Sequence, residues 1–236
     1  MPRSHNLVLR KPGKLVPYGI LGSNPSLGVE KIKKATYILN LMTIIIGAEA
    51  KVTISENKVV KERLPKRYRN ETLDDNIRKK RTRNEAAIIG RLQGIVGIPR
   101  LLDSTKYSIT TERIIGEPLS KAWNNISMKE TTRNIALILR EMHKKNIVHG
   151  DITPRNIIIG NDKTWIIDYG LSMSSHRIED KANDLWMTRE TFIMIEGYSD
   201  TLINEYLSLL EPKEKELFTE RLNKMSMRGR HRAKKN

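Results

Sequence analysis

Between residues 42 and 62, short apolar runs are separated by small or polar residues. Ile44, Ile45 and Ile46 lead into Gly47-Ala48-Glu49-Ala50, then Val52-Thr53-Ile54, and Glu56-Asn57 precede Val59-Val60. Runs this short, bounded by turn residues, predict three strands joined by tight turns. A basic loop follows Pro65. A helix is predicted from near Thr72 or Leu73 to Leu92, ending before Gly94 and Gly97. Leu101-Leu102 and Tyr107 to Thr110 predict two further strands, with Asp103-Ser104 as the turn between them. From Ser127 the period lengthens. Ser127 and Glu130 form a capping box, and Ile135, Ile138, Leu139 and Met142 recur at helical spacing. Ile157 to Ile159 and Trp165 to Ile167 are strand-like runs around Asn161-Asp162, and Asp180 to Arg221 reads as two or three helices broken near Gly197 and Pro212. Residues 1–36 are interrupted by Pro12, Gly13, Pro17, Gly19, Gly22, Pro25 and Gly28 and predict little regular structure. No internal repeat is visible. A strand-rich half is thus followed by a helix-rich half, with a boundary near Glu112 to Pro118.

Composition narrows the function classes. The 236 residues suffice for one or two domains, and 38% apolar with 5% aromatic residues means a modest aliphatic core. No cysteine is present, which excludes disulfides, thiolate metal sites and cysteine nucleophiles and suits an intracellular protein. No apolar run approaches the ~20 residues of a membrane span, and no secretory signal is visible.

The net charge of +16 is unevenly placed. Residues 58–83 carry eleven basic and four acidic side chains, and residues 221–236 carry seven basic and none acidic. Residues 1–41 add seven basic against one acidic, whereas residues 84–220 are slightly acidic. Basic segments on a near-neutral body point to a polyanion such as nucleic acid; solvated faces and a loose tail are the alternative.

The sharpest chemical signal is His149-Gly150-Asp151-Ile152-Thr153-Pro154-Arg155-Asn156, followed by Asp168-Tyr169-Gly170. An Asp with Asn five residues on, two short strands and then Asp-aromatic-Gly is the layout of a kinase catalytic loop and metal-binding loop. Phosphoryl transfer needs a carboxylate near the nucleophile, hard oxygen ligands for Mg²⁺ and a cation on the phosphates of ATP. Asp151 supplies the first; Asn156 and Asp168 supply the second. Lys61, at the end of the third predicted strand, is the cation. Glu85 on the predicted helix is the carboxylate that orients it. Gly47-Ala48-Glu49-Ala50 is the phosphate-covering turn, although it departs from the usual Gly-x-Gly-x-x-Gly. Gly170 is expected to let the backbone turn sharply after Asp168.

From Ile44 to Arg230 the chain resembles the small kinase-like ATPase subunit of the KEOPS (EKC) complex, a relative of the RIO-type atypical kinases. The resemblance rests on Gly47-Ala48-Glu49-Ala50, Lys61-Glu62-Arg63, Pro65-Lys66-Arg67-Tyr68-Arg69, Arg81-Thr82-Arg83-Asn84-Glu85-Ala86, His149-Gly150-Asp151, Asp168-Tyr169-Gly170, Glu179-Asp180-Lys181-Ala182 with Asp184-Leu185, and Arg228-Gly229-Arg230. It implies an α+β, bilobal protein-kinase-like fold in a compact atypical form with a truncated activation segment. The expected division is an N-terminal extension over 1–41, an N-lobe over 42–114, a C-lobe over 115–227 and a basic tail over 228–236.

The resemblance also implies ATP and Mg²⁺ as ligands and ATP hydrolysis supporting threonylcarbamoyl-adenosine formation on tRNAs that read codons beginning with A. Autophosphorylation and Ser/Thr kinase activity belong to the same expectation. So do a carbamoyltransferase-type partner subunit, other KEOPS subunits, tRNA, no membrane, and a place in cytoplasm and nucleus.

By position, Thr111 is the gatekeeper, Glu112 and Ile114 offer backbone hydrogen bonds to adenine, and Ile46, Val52 and Ile167 wall the pocket. Glu49 could reach the metal or the neighbourhood of Lys61. Arg78, Lys79, Lys80, Arg81, Arg83, Arg228, Arg230, Arg232, Lys234 and Lys235 are the expected contacts to tRNA phosphates. The competing expectations are a free-standing Ser/Thr protein kinase and a tRNA-binding scaffold without catalysis.

Three departures weaken efficient peptide phosphorylation. Gly150 stands where regulated kinases have Arg, Thr153 stands where Ser/Thr kinases carry Lys, and only eight residues separate Gly170 from Glu179. Some 40 residues precede the Gly-Ala-Glu-Ala turn. Residues 1–36 are expected to be an added tail or a gene-model artefact, dispensable for ATP binding.

Overall fold

The computed structural model describes residues 42–160, 163–192 and 198–233, with side chains described to Met227. The expectations for residues 1–41 and for Lys234 and Lys235 lie outside the described residues, as do Asn161-Asp162 and the expected break at Gly197.

Strands β1 (Thr43–Ile46), β2 (Lys51–Ile54), β3 (Lys58–Glu62), β4 (Leu101–Ser104) and β5 (Ser108–Glu112) form one antiparallel sheet in the order β1-β2-β3-β5-β4. Its register places Lys61 opposite Val52 on one side and Ile109 on the other. The turn between β4 and β5 falls at Thr105 to Tyr107, where Thr105 N–H donates to Ser108 C=O at 2.8 Å. Asp103 and Ser104 lie within β4 instead, next to a shift of register after Leu101.

Helix α1 (Glu71–Leu92) crosses from β3 to β4. Asn70 caps it, its side-chain oxygen accepting from Leu73 N–H, which starts the helix one to two residues earlier than the pattern predicts. Its C-terminal half buries Ala86, Ile88, Ile89 and Leu92. Its first half has almost no apolar face and is held by ions: buried Asp74 accepts from Arg78 at 2.7 Å and Arg69 at 3.4 Å.

The second half begins with β6 (Glu117–Pro118) and α2 (Leu119–Ala122), followed by α3 (Met128–Lys144), whose cap is Ser127 as expected. Ile135, Ile138, Leu139 and Met142 all face inward from α3. Removing one such side chain, as in Leu139→Ala, costs about 2–5 kcal/mol. Strands β7 (Ile147–Val148), β8 (Ile157–Ile159), β9 (Thr164–Ile166) and β10 (Met173–Ser174) make two small sheets, β6-β8-β9 and β7-β10. Helices α4 (Ile178–Thr191), α5 (Tyr198–Ser208) and α6 (Pro212–Ala233) complete the core with Phe192, Leu202, Tyr206 and Phe218. Helix α6 continues past Met227 to Ala233, so the basic run from Arg228 begins inside a helix rather than as a separate tail. No described helix is long and apolar enough to cross a membrane.

Candidate active site

A cleft of about 470 Å³ lies between the sheet and the helical half. Alternation along β3 points Lys61 into it, and α1 carries Glu85 beneath. Lys61 Nζ donates to Glu85 Oε1 at 2.8 Å and to Asp168 Oδ1 at 2.6 Å. Glu85 is only 3% exposed, and its second oxygen accepts from buried Arg63 at 2.5 Å. Thus the predicted Lys61, Glu85 and Asp168 do meet. The sequence pattern alone does not place Arg63 there; its position two residues beyond Lys61 is the available signal.

Burial alone raises the Asp168 carboxyl, but the charge and hydrogen bond of Lys61 outweigh it and hold the group below the usual carboxylate range. Asp168 has φ +66°, in the left-handed region, so the sharp turn falls on Asp168 itself rather than on Gly170. Gly170 serves proximity: a Cβ there would stand 3.1 Å from Asp168 Oδ1 and 3.4 Å from Lys61 Nζ.

Asn156 Nδ2 donates to the Asp151 C=O at 2.9 Å and to its Oδ2 at 3.1 Å, which closes the loop and leaves the amide oxygen of Asn156 for another partner. The Asn156 C=O accepts from Ile167 N–H at 2.9 Å, next to Asp168. Asp151 and Asn156 do not line the cleft wall. Among the described residues no three His, Asp or Glu form a self-sufficient metal cluster. One carboxylate and one amide oxygen suit a hard ion completed by phosphate oxygens and water, as Mg²⁺ is usually held.

The loop is anchored from below. Buried Asp184 on α4 accepts from His149 N–H and Gly150 N–H, each at 2.8 Å, and from His143 Nε2 at 3.1 Å. Tyr206 O–H reaches His143 Nδ1 at 2.6 Å. Burial by itself raises the Asp184 carboxyl, but the hydrogen bond from His143, the electrostatic pull of the adjacent imidazole rings and Gly150 N–H keep it below its ordinary value. Burial pushes the fully enclosed His149 ring down, against the pull of Asp184 and Asp168. Gly150 adopts φ +81°, and a Cβ there would press the Leu171 C=O at 3.0 Å.

Val52, Thr111, Glu112, Ile114 and Ile167 line the cleft as expected. Glu112 N–H donates to Arg100 C=O at 2.9 Å, whereas Ile114 N–H has no acceptor among the described residues. Ile46 does not line the cleft and is 70% exposed; Ile45 takes that role. The register explains the correction, because Ile45 pairs with Val52, which faces the cleft, and Ile46 pairs with Lys51. Ile54, Val59, Ile89 and Arg155 also line it without having been expected.

Gly47, Ala48 and Glu49 lie outside the cleft wall. Their turn is closed by Gly47 N–H to Ala50 C=O at 2.9 Å and pinned by Lys66 Nζ on the Ala48 C=O. Glu49 pairs with Arg81 at 2.6 Å rather than with Lys61.

The expected tRNA contacts divide. Arg78 is held by Asp74 and stacks 4.2 Å from the Tyr107 ring centroid, Arg81 is taken by Glu49, and Lys79 pairs with Asp75. Lys80 and Arg83 are exposed, with no ion pair among the described residues. The side chains of Arg228, Arg230 and Arg232 lie outside the described ones.

Residues 49–190 match the RIO domain family. The chain belongs to that family. A probable serine/threonine-protein kinase BUD32 homolog of Archaeoglobus fulgidus is 35% identical over 195 residues, covering 80% of this chain and 96% of that protein. The EKC/KEOPS complex subunit BUD32 of Enterocytozoon bieneusi is 35% identical over 74% of this chain and 98% of its own. A probable bifunctional tRNA threonylcarbamoyladenosine biosynthesis protein of Methanocorpusculum labreanum is 35% identical over 78% of this chain but only 35% of its own length. Within the RIO family the chain is therefore of the BUD32 kind. Among solved structures, the Rio2 kinase–ADP/Mg²⁺–phosphoaspartate complex from Chaetomium thermophilum matches with TM-score 0.55 and 16% identity, covering 87% of this chain and 77% of that one; this supports the bilobal kinase fold.

Proposed function

We propose that this RIO-family chain is the ATP-hydrolysing kinase-type subunit of a KEOPS/EKC assembly and supports threonylcarbamoyl-adenosine formation on tRNA. The observation that carries the catalytic reading is the meeting of Lys61, Glu85 and Asp168 in one cleft. The names of the relatives carry the biological one.

Lys61, oriented by Glu85, would lie against the nucleotide phosphates. Asp168 and the amide oxygen of Asn156 would hold Mg²⁺, whose charge would offset that developing on the transferred phosphoryl group. Asp151, fixed by Asn156, would orient the attacking oxygen and receive its proton. As the new P–O bond forms, the bond to the β-phosphate oxygen breaks and ADP leaves. The apolar residues Val52, Ile45 and Ile167 would enclose adenine, and Ile114 N–H would donate to it.

A specific feature favours water over a docked peptide as acceptor. Seven residues, Leu171 to Arg177, join Gly170 to α4, and β10 within them is paired to β7. They leave little chain for a peptide platform.

The test is reconstitution with a carbamoyltransferase-type subunit, ATP and unmodified tRNA. The wild-type chain should support repeated rounds of modification and Asp168→Asn should not. Equal modification by both would overturn the proposal. Robust phosphorylation of added peptides by the isolated chain would favour the free-standing kinase instead.

A further inference from the structure

The alternation that aims Lys61 into the cleft does not stop at the end of β3. Arg63 N–H donates to Tyr107 C=O at 2.9 Å, so the pairing of β3 with β5 runs one residue beyond Glu62. With a period of two, Arg63 falls on the side of Val59 and Lys61, and Glu62 falls on the other, exposed beside Lys51. Arg63 is 5% exposed. Unlike Val59, Lys61 and Glu85, it does not line the cleft.

Charge in this corner is balanced in a particular way. Lys61 and Arg63 face Glu85 and Asp168, and each Glu85 oxygen has its own cation. On the reading above, Lys61 lies against the phosphates and Asp168 on the metal once nucleotide binds. Buried Glu85 then shares Lys61 with an anion. A buried carboxylate that loses its cation is strongly disfavoured. Arg63 is the ion-pair partner left to it among the described residues. A Cβ at Gly170 would stand 3.5 Å from Arg63 Nη2, so the turn after Asp168 packs close to this cation too.

We propose that Arg63 is a positioning residue for nucleotide binding. It holds Glu85 by the second carboxylate oxygen, and so lets Lys61 turn to the phosphates without leaving a buried carboxylate unpaired. The assignment rests on the nucleotide reading above and gives a role to a residue that touches no nucleotide. It also ties α1 to β3 whether or not Lys61 is engaged by ligand.

The experiment measures binding of a non-hydrolysable ATP analogue with Mg²⁺ to the full chain by calorimetry, with the thermal midpoint recorded beside it. Arg63→Gln should weaken binding roughly tenfold, as expected for coupling between ion-paired neighbours. Arg63→Lys keeps the charge but not the planar fork, and should fall between Arg63→Gln and wild type. In a Glu85→Gln background, Arg63→Gln should change affinity by less than about twofold, since a neutral amide needs no counter-ion. A merely structural arginine would lower the thermal midpoint and leave the affinity of the folded chain unchanged. One that touched phosphate directly would weaken binding in both backgrounds.

Wild-type affinity in folded Arg63→Gln, or an equal loss in both backgrounds, would overturn the assignment and leave the functional reading standing. If Arg63→Gln does not fold, Arg63→Lys carries the test. A few-fold loss that vanishes beside Glu85→Gln supports the assignment, and wild-type affinity overturns it. Failure of the wild-type chain to bind the nucleotide would overturn the assignment and the functional reading together.

Discussion

Glu85 in the strand-rich half and Asp184 in the helical half are both buried carboxylates with both oxygens occupied, but they hold different things. Glu85 is bracketed by two cations on long stems, Lys61 and Arg63. Asp184 is bracketed by two backbone N–H groups and an imidazole. Cations can turn towards arriving phosphates, whereas backbone donors cannot leave their loop. Side-chain anchoring in one half therefore sets where charge can be delivered. Backbone anchoring in the other sets where the catalytic loop sits.

The comparison breaks most sharply at Asp184. Asp184→Ala leaves three donors, two of them buried, without their acceptor, and unmet buried groups cost about 1–3 kcal/mol each. With partial relaxation, a loss of about 3–5 kcal/mol is expected, read from the urea midpoint. ATP hydrolysis should fall with it, because Asp151 follows directly on the released residues. A variant within about 1 kcal/mol of wild type would mean that the loop is held elsewhere.

Glu85→Gln is the counterpart. One oxygen remains to accept from Lys61 or Arg63, so global stability should change less than in Asp184→Ala. Lys61 should then spend more time on Asp168, the carboxylate assigned to the metal. Turnover is expected to fall roughly 10- to 100-fold, about 1.4–2.7 kcal/mol in the barrier. Steady-state ATP hydrolysis measured beside the urea midpoint separates the two effects. A large stability loss with normal turnover of the folded fraction would reverse the roles given to the two carboxylates.

These two carboxylates also show what could be read from the chain. The Lys61–Glu85–Asp168 cluster was legible because strand alternation and motif order each fix a side chain's direction. The kinase-like division was legible because the apolar period changes between the two halves. Ile46 was misplaced because three consecutive isoleucines carry no phase; only pairing of β1 with β2 decides which of them faces inward. Arg63 and Arg81 were not separable from the other cations of a basic segment, since ion pairing across 22 and 32 residues leaves no local pattern. Asp184 was visible as part of a family string, but its use as a backbone acceptor depends on how α4 packs under the loop.

Gly150 sharpens the comparison by testing backbone anchoring without touching a charge. Its N–H is held by Asp184 while φ is +81°. Gly150→Ala forces an L side chain into that region and sets a Cβ 3.0 Å from the Leu171 C=O. A cost of about 1–2 kcal/mol is expected from the backbone conformation. ATP affinity should change little, because Gly150 does not line the nucleotide cleft. Weakened nucleotide binding with unchanged stability would show that the two anchors are coupled.

The smallest effect near neutrality comes from protons. Burial holds the folded His149 ring below its ordinary value of 6.5, so at mildly acid pH the unfolded chain takes up more protons than the folded one. This contribution to stability is complete above about pH 6.5 and is lost as pH falls towards the folded value. The Asp184 carboxyl lies below its ordinary 3.8, so its contribution is complete above that value and is lost only as pH falls below it. The acid response should therefore have a first limb from an imidazole and a later one from a carboxylate, both in the helical half. His149→Gln should flatten the urea midpoint between about pH 6.5 and 5 without removing the carboxylate limb. Its salt dependence should resemble that of wild type, since the enclosed ring is shielded from mobile ions. An unchanged slope in His149→Gln over this interval would place the early acid sensitivity on another group and detach it from the Asp184 anchor.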